Sequence, residues 1–76
     1  MANTIELDVC GLEPPEPMVR VLEALDGLGA GDSLLVRIDR QPLPLYRVLE
    51  RNGYFYEERS GSDSLFEIVI RLRENA

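Results

Sequence analysis

Apolar residues recur along this chain at every second position, then at every third or fourth, and the two periods alternate. From Thr4 to Val9, Ile5, Leu7 and Val9 fall on one side and Thr4, Glu6 and Asp8 on the other. That is the pattern of a strand with one buried face. The stretch Gly11-Leu12-Glu13-Pro14-Pro15-Glu16-Pro17 ends it, because proline brings no amide hydrogen to a ladder and restricts the residue before it. From about Pro15 the period becomes 3.6: Met18, Val21, Leu22, Leu25 and Leu28 lie at helical spacing, with Arg20, Glu23 and Asp26 opposite. Proline suits a first helical turn, and Glu16 suits the positive end of the helix dipole, four residues before Arg20. Gly27, Gly29 and Gly31 supply the stop.

Ser33 to Asp39 reads as a second strand, with Leu34, Val36 and Ile38 on one face and Leu35, Arg37 and Asp39 on the other. Arg40-Gln41-Pro42-Leu43-Pro44 then turns the chain into a second helix with a short stripe of Leu45, Val48 and Leu49, closed by Asn52-Gly53. Tyr54 to Arg59 and Leu65 to Leu72 are strand-like, joined by the turn Ser60-Gly61-Ser62-Asp63-Ser64. The order is βαβαββ. Each helix has one apolar stripe and three strands have one apolar face, so the pattern predicts a two-layer α/β sandwich, with both helices on one face of a four-stranded mixed sheet. Right-handed crossover makes the first two strands parallel neighbours. The other sheet face carries Glu6, Asp8, Leu35, Arg37, Asp39, Glu67, Val69 and Arg71. It is mostly polar, with apolar islands at Leu35 and Val69 that permit a monomer or a weak dimer. No linker or repeat divides residues 1–76 into more than one domain.

Composition narrows the chemistry. A chain of 76 residues buries only about 60% of its unfolded surface, so every element must contribute to one small core. The formal charge is −6, from 14 carboxylates against 8 basic residues, and nucleic-acid affinity comes mostly from cations on phosphates. The balance argues against nucleic acid and equally against an anionic membrane surface. There is no histidine, and all eight basic residues are arginines, which removes histidine triads, histidine metal ligands, Schiff-base lysines and the P-loop lysine. Met1-Ala2-Asn3-Thr4 has neither a basic nor an apolar signal region, no run approaches a membrane span, and one cysteine cannot build a disulfide framework. These features read as a cytoplasmic protein.

The segment Leu7-Asp8-Val9-Cys10-Gly11-Leu12-Glu13-Pro14-Pro15-Glu16-Pro17 resembles the signature of TusA/SirA-like proteins. That signature runs leucine, aspartate, two variable residues, Gly-Leu, one variable residue, then Cys-Pro-x-Pro opening the first helix. Leu28-Gly29-Ala30-Gly31-Asp32-Ser33-Leu34 resembles the same family's turn into the second strand. The resemblance implies a TusA/SirA-like fold over nearly the whole chain. Pro14 stands where the sulfur carriers have their cysteine, at a helix N-terminus whose N–H groups stabilise a thiolate. Proline has no thiol, so carrier chemistry does not follow. The Gly-Leu-Glu-Pro-Pro-Glu-Pro-Met form is similar to that of a sister family of bacterial domains, with an Arg-Pro-Leu-Tyr-like stretch at the second helix; here it reads Gln41-Pro42-Leu43-Pro44-Leu45-Tyr46. Members occur alone or joined to other domains, hemerythrin-like ones included. Many carry a histidine near this point that the present chain lacks.

The candidate binding residues are therefore those of the strand-to-helix turn: Cys10, Gly11, Glu13, Pro14, Pro15, Glu16 and Pro17. No catalytic residue, cofactor or metal ligand is expected. The prolines read as a helix-start device that can also present a rigid recognition surface. Cys10 lies four residues before Pro14, up to roughly 13 Å of contour, and reads as a half-buried thiol or a displaced sulfur acceptor. Asp8, Glu13 and Glu16 read as solvated charges, with acid–base work or a hard cation as the sharper alternative. Tyr46, Tyr54, Phe55 and Tyr56 form either a partner-binding patch or packing under the second helix. The resulting expectation is a noncatalytic accessory module that recognises a protein partner through the Gly11–Pro17 turn and the neighbouring sheet face. Persulfide handling at Cys10 and an anion site at the first helix N-terminus are the alternatives.

Overall fold

Six elements follow the expected order, the strands within a residue of their expected bounds and the helices within about two: the first helix stops before Leu28, and the second already includes Leu43 and Pro44. In the computed structural model, which describes residues 3–61 and 65–72, they are β1 (Thr4–Asp8), α1 (Glu16–Asp26), β2 (Ser33–Ile38), α2 (Leu43–Arg51), β3 (Tyr54–Ser60) and β4 (Phe66–Leu72). Of the expected hairpin turn, Ser62, Asp63 and Ser64 lie outside the described residues, as do Met1 and Ala2 of the N-terminal segment. No helix is long and apolar enough to cross a membrane among the described residues.

The four strands form one sheet in the order β1-β2-β4-β3, with β1 parallel to β2 and the other two pairings antiparallel. Side-chain character explains which strands are central. In β2 and β4, Leu34, Val36, Ile68 and Ile70 are all fully buried. The outer strands β1 and β3 carry Glu6, Asp8, Glu57, Glu58 and Arg59, charges that discourage further pairing at an open edge. The hairpin therefore brings β4 back between β2 and β3, where Ile68 and Ile70 are fully covered and Val69 faces the open side half-buried.

The core lies between the sheet and the helices. Val21, Leu25 and Leu28 reach it from the first crossover, Leu45 and Leu49 from the second, and Val9 and Ile38 from the strand ends. Full burial of one such aliphatic side chain is worth about 1.5–3 kcal/mol, most of it offset by conformational entropy. Met18, Leu22 and Val48, the remaining stripe residues, are only partly covered. At the end of α2, Asn52 keeps φ at −101° and its side-chain Nδ2 donates to the Val48 carbonyl at 2.8 Å, while Gly53 alone turns left-handed.

The far side of the sheet is open. Arg37 sits between Glu6 on β1 (2.8 Å) and Glu67 on β4 (3.4 Å); Glu6 is exposed and the other two are half-buried but in reach of water, so this ladder is largely screened and adds little stability. The aromatic residues divide between the layers. Tyr54 and Tyr56 pack toward the core, where Tyr56 meets Tyr46 of α2, while Phe55 points to the open face and is 56% exposed. Of the two readings of these aromatics, the packing of the Tyr54 and Tyr56 pair under α2 is the one observed, and the four do not form one surface.

Candidate functional site

The turn after β1 is held by two carboxylates. The Cys10 amide donates to Asp8 Oδ1 at 2.9 Å, and the Gly11 amide donates to Asp39 Oδ2, just past β2, at 3.0 Å. Gly11 takes φ +79°, a conformation that side chains with a Cβ rarely adopt, which gives the Asp-x-x-Gly spacing its physical reason. A third aspartate organises the next turn. Asp32 accepts from Asn3 N at 3.0 Å and Gly29 N at 3.1 Å, tying the entry to β2 against the start of β1.

Beyond the turn the chain enters α1 through Pro14, Pro15 and Pro17, with a cis bond between the first two. These three rings face Pro42 and Pro44 at the start of α2, so all five prolines of the chain line one groove. Met18 and Val21 of α1, Leu45 of α2 and Ile38 at the end of β2 complete its apolar wall, with Arg40 and Gln41 at the rim. The groove measures about 390 Å³ and lies at the carboxyl ends of the parallel strands β1 and β2. That volume is in the range of ligand sites, and that end of a parallel sheet is where α/β folds bind ligands.

Its chemistry follows from the prolines. A helix start normally offers several backbone N–H groups. Here Pro15, Pro17, Pro42 and Pro44 have none, the Glu16 amide is committed to Glu13 O at 2.9 Å, and the Leu43 amide to Gln41 O at 3.0 Å. Two helix N-termini meet at the groove, yet its surface suits an apolar group better than an anion. The rim is fixed from β3: Gln41 Nε2 donates to Glu58 Oε1 at 2.8 Å, and the Tyr46 hydroxyl donates to the same oxygen at 2.5 Å. These two bonds, Tyr46 first, hold the Glu58 carboxyl below its ordinary value.

The candidate residues of the turn separate in space. Pro14, Pro15 and Pro17 form one wall of the groove, while Gly11, Glu13 and Glu16 are exposed, and Glu16 makes only a solvent-exposed 3.6 Å pair with Arg20. Cys10 is half-buried at the end of β1 and does not line the groove. Burial pushes its thiol pKa up, and the hydrogen bond to Asp8 and the charges of Asp8 and Asp39 push the same way, with Arg37 opposing. At neutral pH it is a thiol rather than a thiolate. Asp8, Glu13 and Glu16 do not converge, and among the described residues no group of three or more His, Cys, Asp or Glu is placed to hold a metal ion.

The second wall, Ile38, Arg40, Gln41, Pro42, Pro44 and Leu45, was absent from the candidates drawn from the sequence. One signal points to it. Two successive βα units on parallel strands start their helices at the same end of the sheet, so two proline clusters at two helix starts must face each other.

In the search of curated proteins, none matches the chain. Among solved structures, it is similar to a SirA-like protein from Desulfitobacterium hafniense, with 28% sequence identity and a TM-score of 0.77; the likeness covers 95% of this chain and 99% of that one. Together with the four-stranded mixed sheet and its two helices, this gives the molecule a SirA-like α/β fold. Residues 6–71 match the family described as Uncharacterized conserved protein (DUF2249), and the chain belongs to that family.

Proposed function

We propose that the chain is a noncatalytic binding module whose proline-walled groove receives an apolar side chain of a protein partner. The observation that carries this reading is the convergence of all five prolines, from two separate helix starts, on one groove. Proline rings are rigid, so the walls lose little conformational freedom on binding. The removal of backbone donors makes the groove unsuited to a polar substrate. The Gly11–Pro17 turn thus contributes through its prolines, whereas the open sheet face lies on the other side of the molecule and is occupied by its own Glu6–Arg37–Glu67 ladder.

Persulfide handling at Cys10 has weaker support. The thiol is pushed toward its protonated form by burial and two aspartates, and it does not line the groove between the two helix starts.

The groove is tested by titrating the ¹⁵N-labelled protein with terminally blocked tripeptides whose central residue is phenylalanine, leucine or glycine. Phenylalanine and leucine are expected to give saturable shifts at the amides of Met18 and Leu45, weakened in Pro44→Glu, while glycine gives none. Flat spectra with all three peptides would remove the groove as a recognition site.

A further inference from the structure

The exposed side of α2 has a chemistry unlike the rest of the molecule. Among the described residues, Arg20, Arg37 and Arg59 each face a carboxylate. Arg40, Arg47, Arg51 and Arg71 make no ion pair with any described residue. Three of these four belong to α2 or its entry. A shortage of acids is not the reason, since the chain has 14 carboxylates for 8 arginines. Glu50, between Arg47 and Arg51, is turned to the Tyr56 hydroxyl on β3 instead.

Helical spacing places these cations beside the groove. Pro44 lines it, and Arg47 and Arg51 follow three and seven residues later on the same side of α2, the farther about 10 Å along the axis. Arg40 is at the rim itself. Leu43, four residues before Arg47, is 57% exposed. Arg51 complements the negative end of the helix dipole, but Arg40 and Arg47 gain nothing from it, and Arg47 and Arg51 repel each other at a spacing of four. A stripe of unneutralised cations leading out of an apolar groove is complementary to an acidic chain segment with an apolar anchor.

We infer that the partner segment is acidic: one large apolar side chain enters the proline-walled groove and carboxylates on either side of it meet Arg40, Arg47 and Arg51. This rests on the groove reading above and adds the charge of its occupant. The anion is a peptide rather than nucleic acid or a lipid surface, because the stripe is only three cations long. It is also flanked by the acidic outer face of α1, with Glu16, Glu23 and Asp26, on a molecule of net charge −6. A short peptide threads between those carboxylates; a polyanion or membrane must confront them.

The test is fluorescence anisotropy with a labelled, terminally blocked dodecapeptide holding one central phenylalanine and four flanking glutamates on a glycine–serine background. Its counterpart replaces the glutamates with glutamine. The glutamate peptide is expected to bind about tenfold more tightly at low salt, as several exposed ion pairs of modest strength would give. The difference shrinks severalfold in 0.5 M salt. The double variant Arg47→Gln/Arg51→Gln, checked for an unchanged fold by circular dichroism, should bring the acidic peptide down toward the affinity of the neutral one, which itself does not change. Equal affinity for both peptides, or no effect of the double variant, overturns the acidic-segment inference while leaving the groove intact; no binding of either peptide removes both. Tighter binding to a single-stranded oligonucleotide or to phosphatidylserine vesicles, or a wild-type dimer in sedimentation that the double variant abolishes, would reassign the stripe and likewise overturn it.

Discussion

The rings of Tyr46 on α2 and Tyr56 on β3 stack 4.6 Å apart, 13° from parallel, and each hydroxyl donates to a carboxylate on the other's element. Tyr46 reaches Glu58 of β3 and Tyr56 reaches Glu50 of α2. This reciprocal clamp fastens α2 to an edge strand and, through Gln41 on the same Glu58 oxygen, sets the rim of the groove.

The clamp makes stability sensitive to alkali. Both phenols are held above their ordinary value of 10.0, Tyr46 by burial first and Tyr56 by its bond to Glu50 first. The neutral form is the one the fold favours, so the stabilisation is complete below about pH 10 and is lost as pH rises through the raised values. The chain has no lysine to titrate in this range. Urea midpoints should fall as pH rises above about 10 in the wild type. They should fall less in Tyr46→Phe/Tyr56→Phe, and the two single variants should not add, because each removes half of one clamp.

Acid acts on different groups. Asp8 is held below 3.8, first by the Cys10 amide, and Glu58 below 4.5, first by Tyr46. A depressed carboxyl contributes above its unfolded value and loses that contribution as pH falls through the folded one. Stability is therefore expected to drop on acidification below about pH 4.5, with a shallower drop in Asp8→Asn and Glu58→Gln, read from denaturant midpoints.

Cys10 should be a slow nucleophile. Modification by iodoacetamide is expected to be slower than for free cysteine at pH 7.5 and to accelerate in Asp8→Asn, which removes the carboxylate that hydrogen-bonds the thiol. With cysteine and a cysteine desulfurase, intact mass should stay unchanged while a known sulfur carrier loads in the same tube. A gain of one sulfur mass in wild type but not in Cys10→Ala would establish the persulfide reading instead.

Two substitutions separate local from global effects on the fold. Gly11→Ala meets no atom within 4 Å, so its cost is the positive φ alone, about 1 kcal/mol. Leu49→Ala empties a fully buried position and should cost about 2–5 kcal/mol. Thermal melts of the two variants should differ accordingly, with Gly11→Ala the milder.

What the groove is made of was legible in the sequence only by halves. The prolines of the first turn stand out by their density and by their resemblance to a known signature, and proximity in sequence groups them with Cys10, Glu13 and Glu16. Tertiary structure sorts them otherwise. Cys10 is half-buried past the strand end and outside the groove, a first helical turn exposes Glu16, and the prolines meet partners about 27 residues downstream, a proximity that no local pattern encodes.

The period of the apolar residues determined, by itself, the six elements, the helix-bearing face of the sheet and most of the core, because burial selects side chains at repeats of two and 3.6. The handedness of the crossover made β1 and β2 parallel neighbours. Only the tertiary structure decided that β4 lies inside β3, that Tyr54 and Tyr56 turn inward while Phe55 faces out, and that two sets of prolines close one groove. Those outcomes depend on which strand buries more apolar surface when both compete for a central position, and on the distance between two helix starts. Both are properties of the packed molecule rather than of any segment of it.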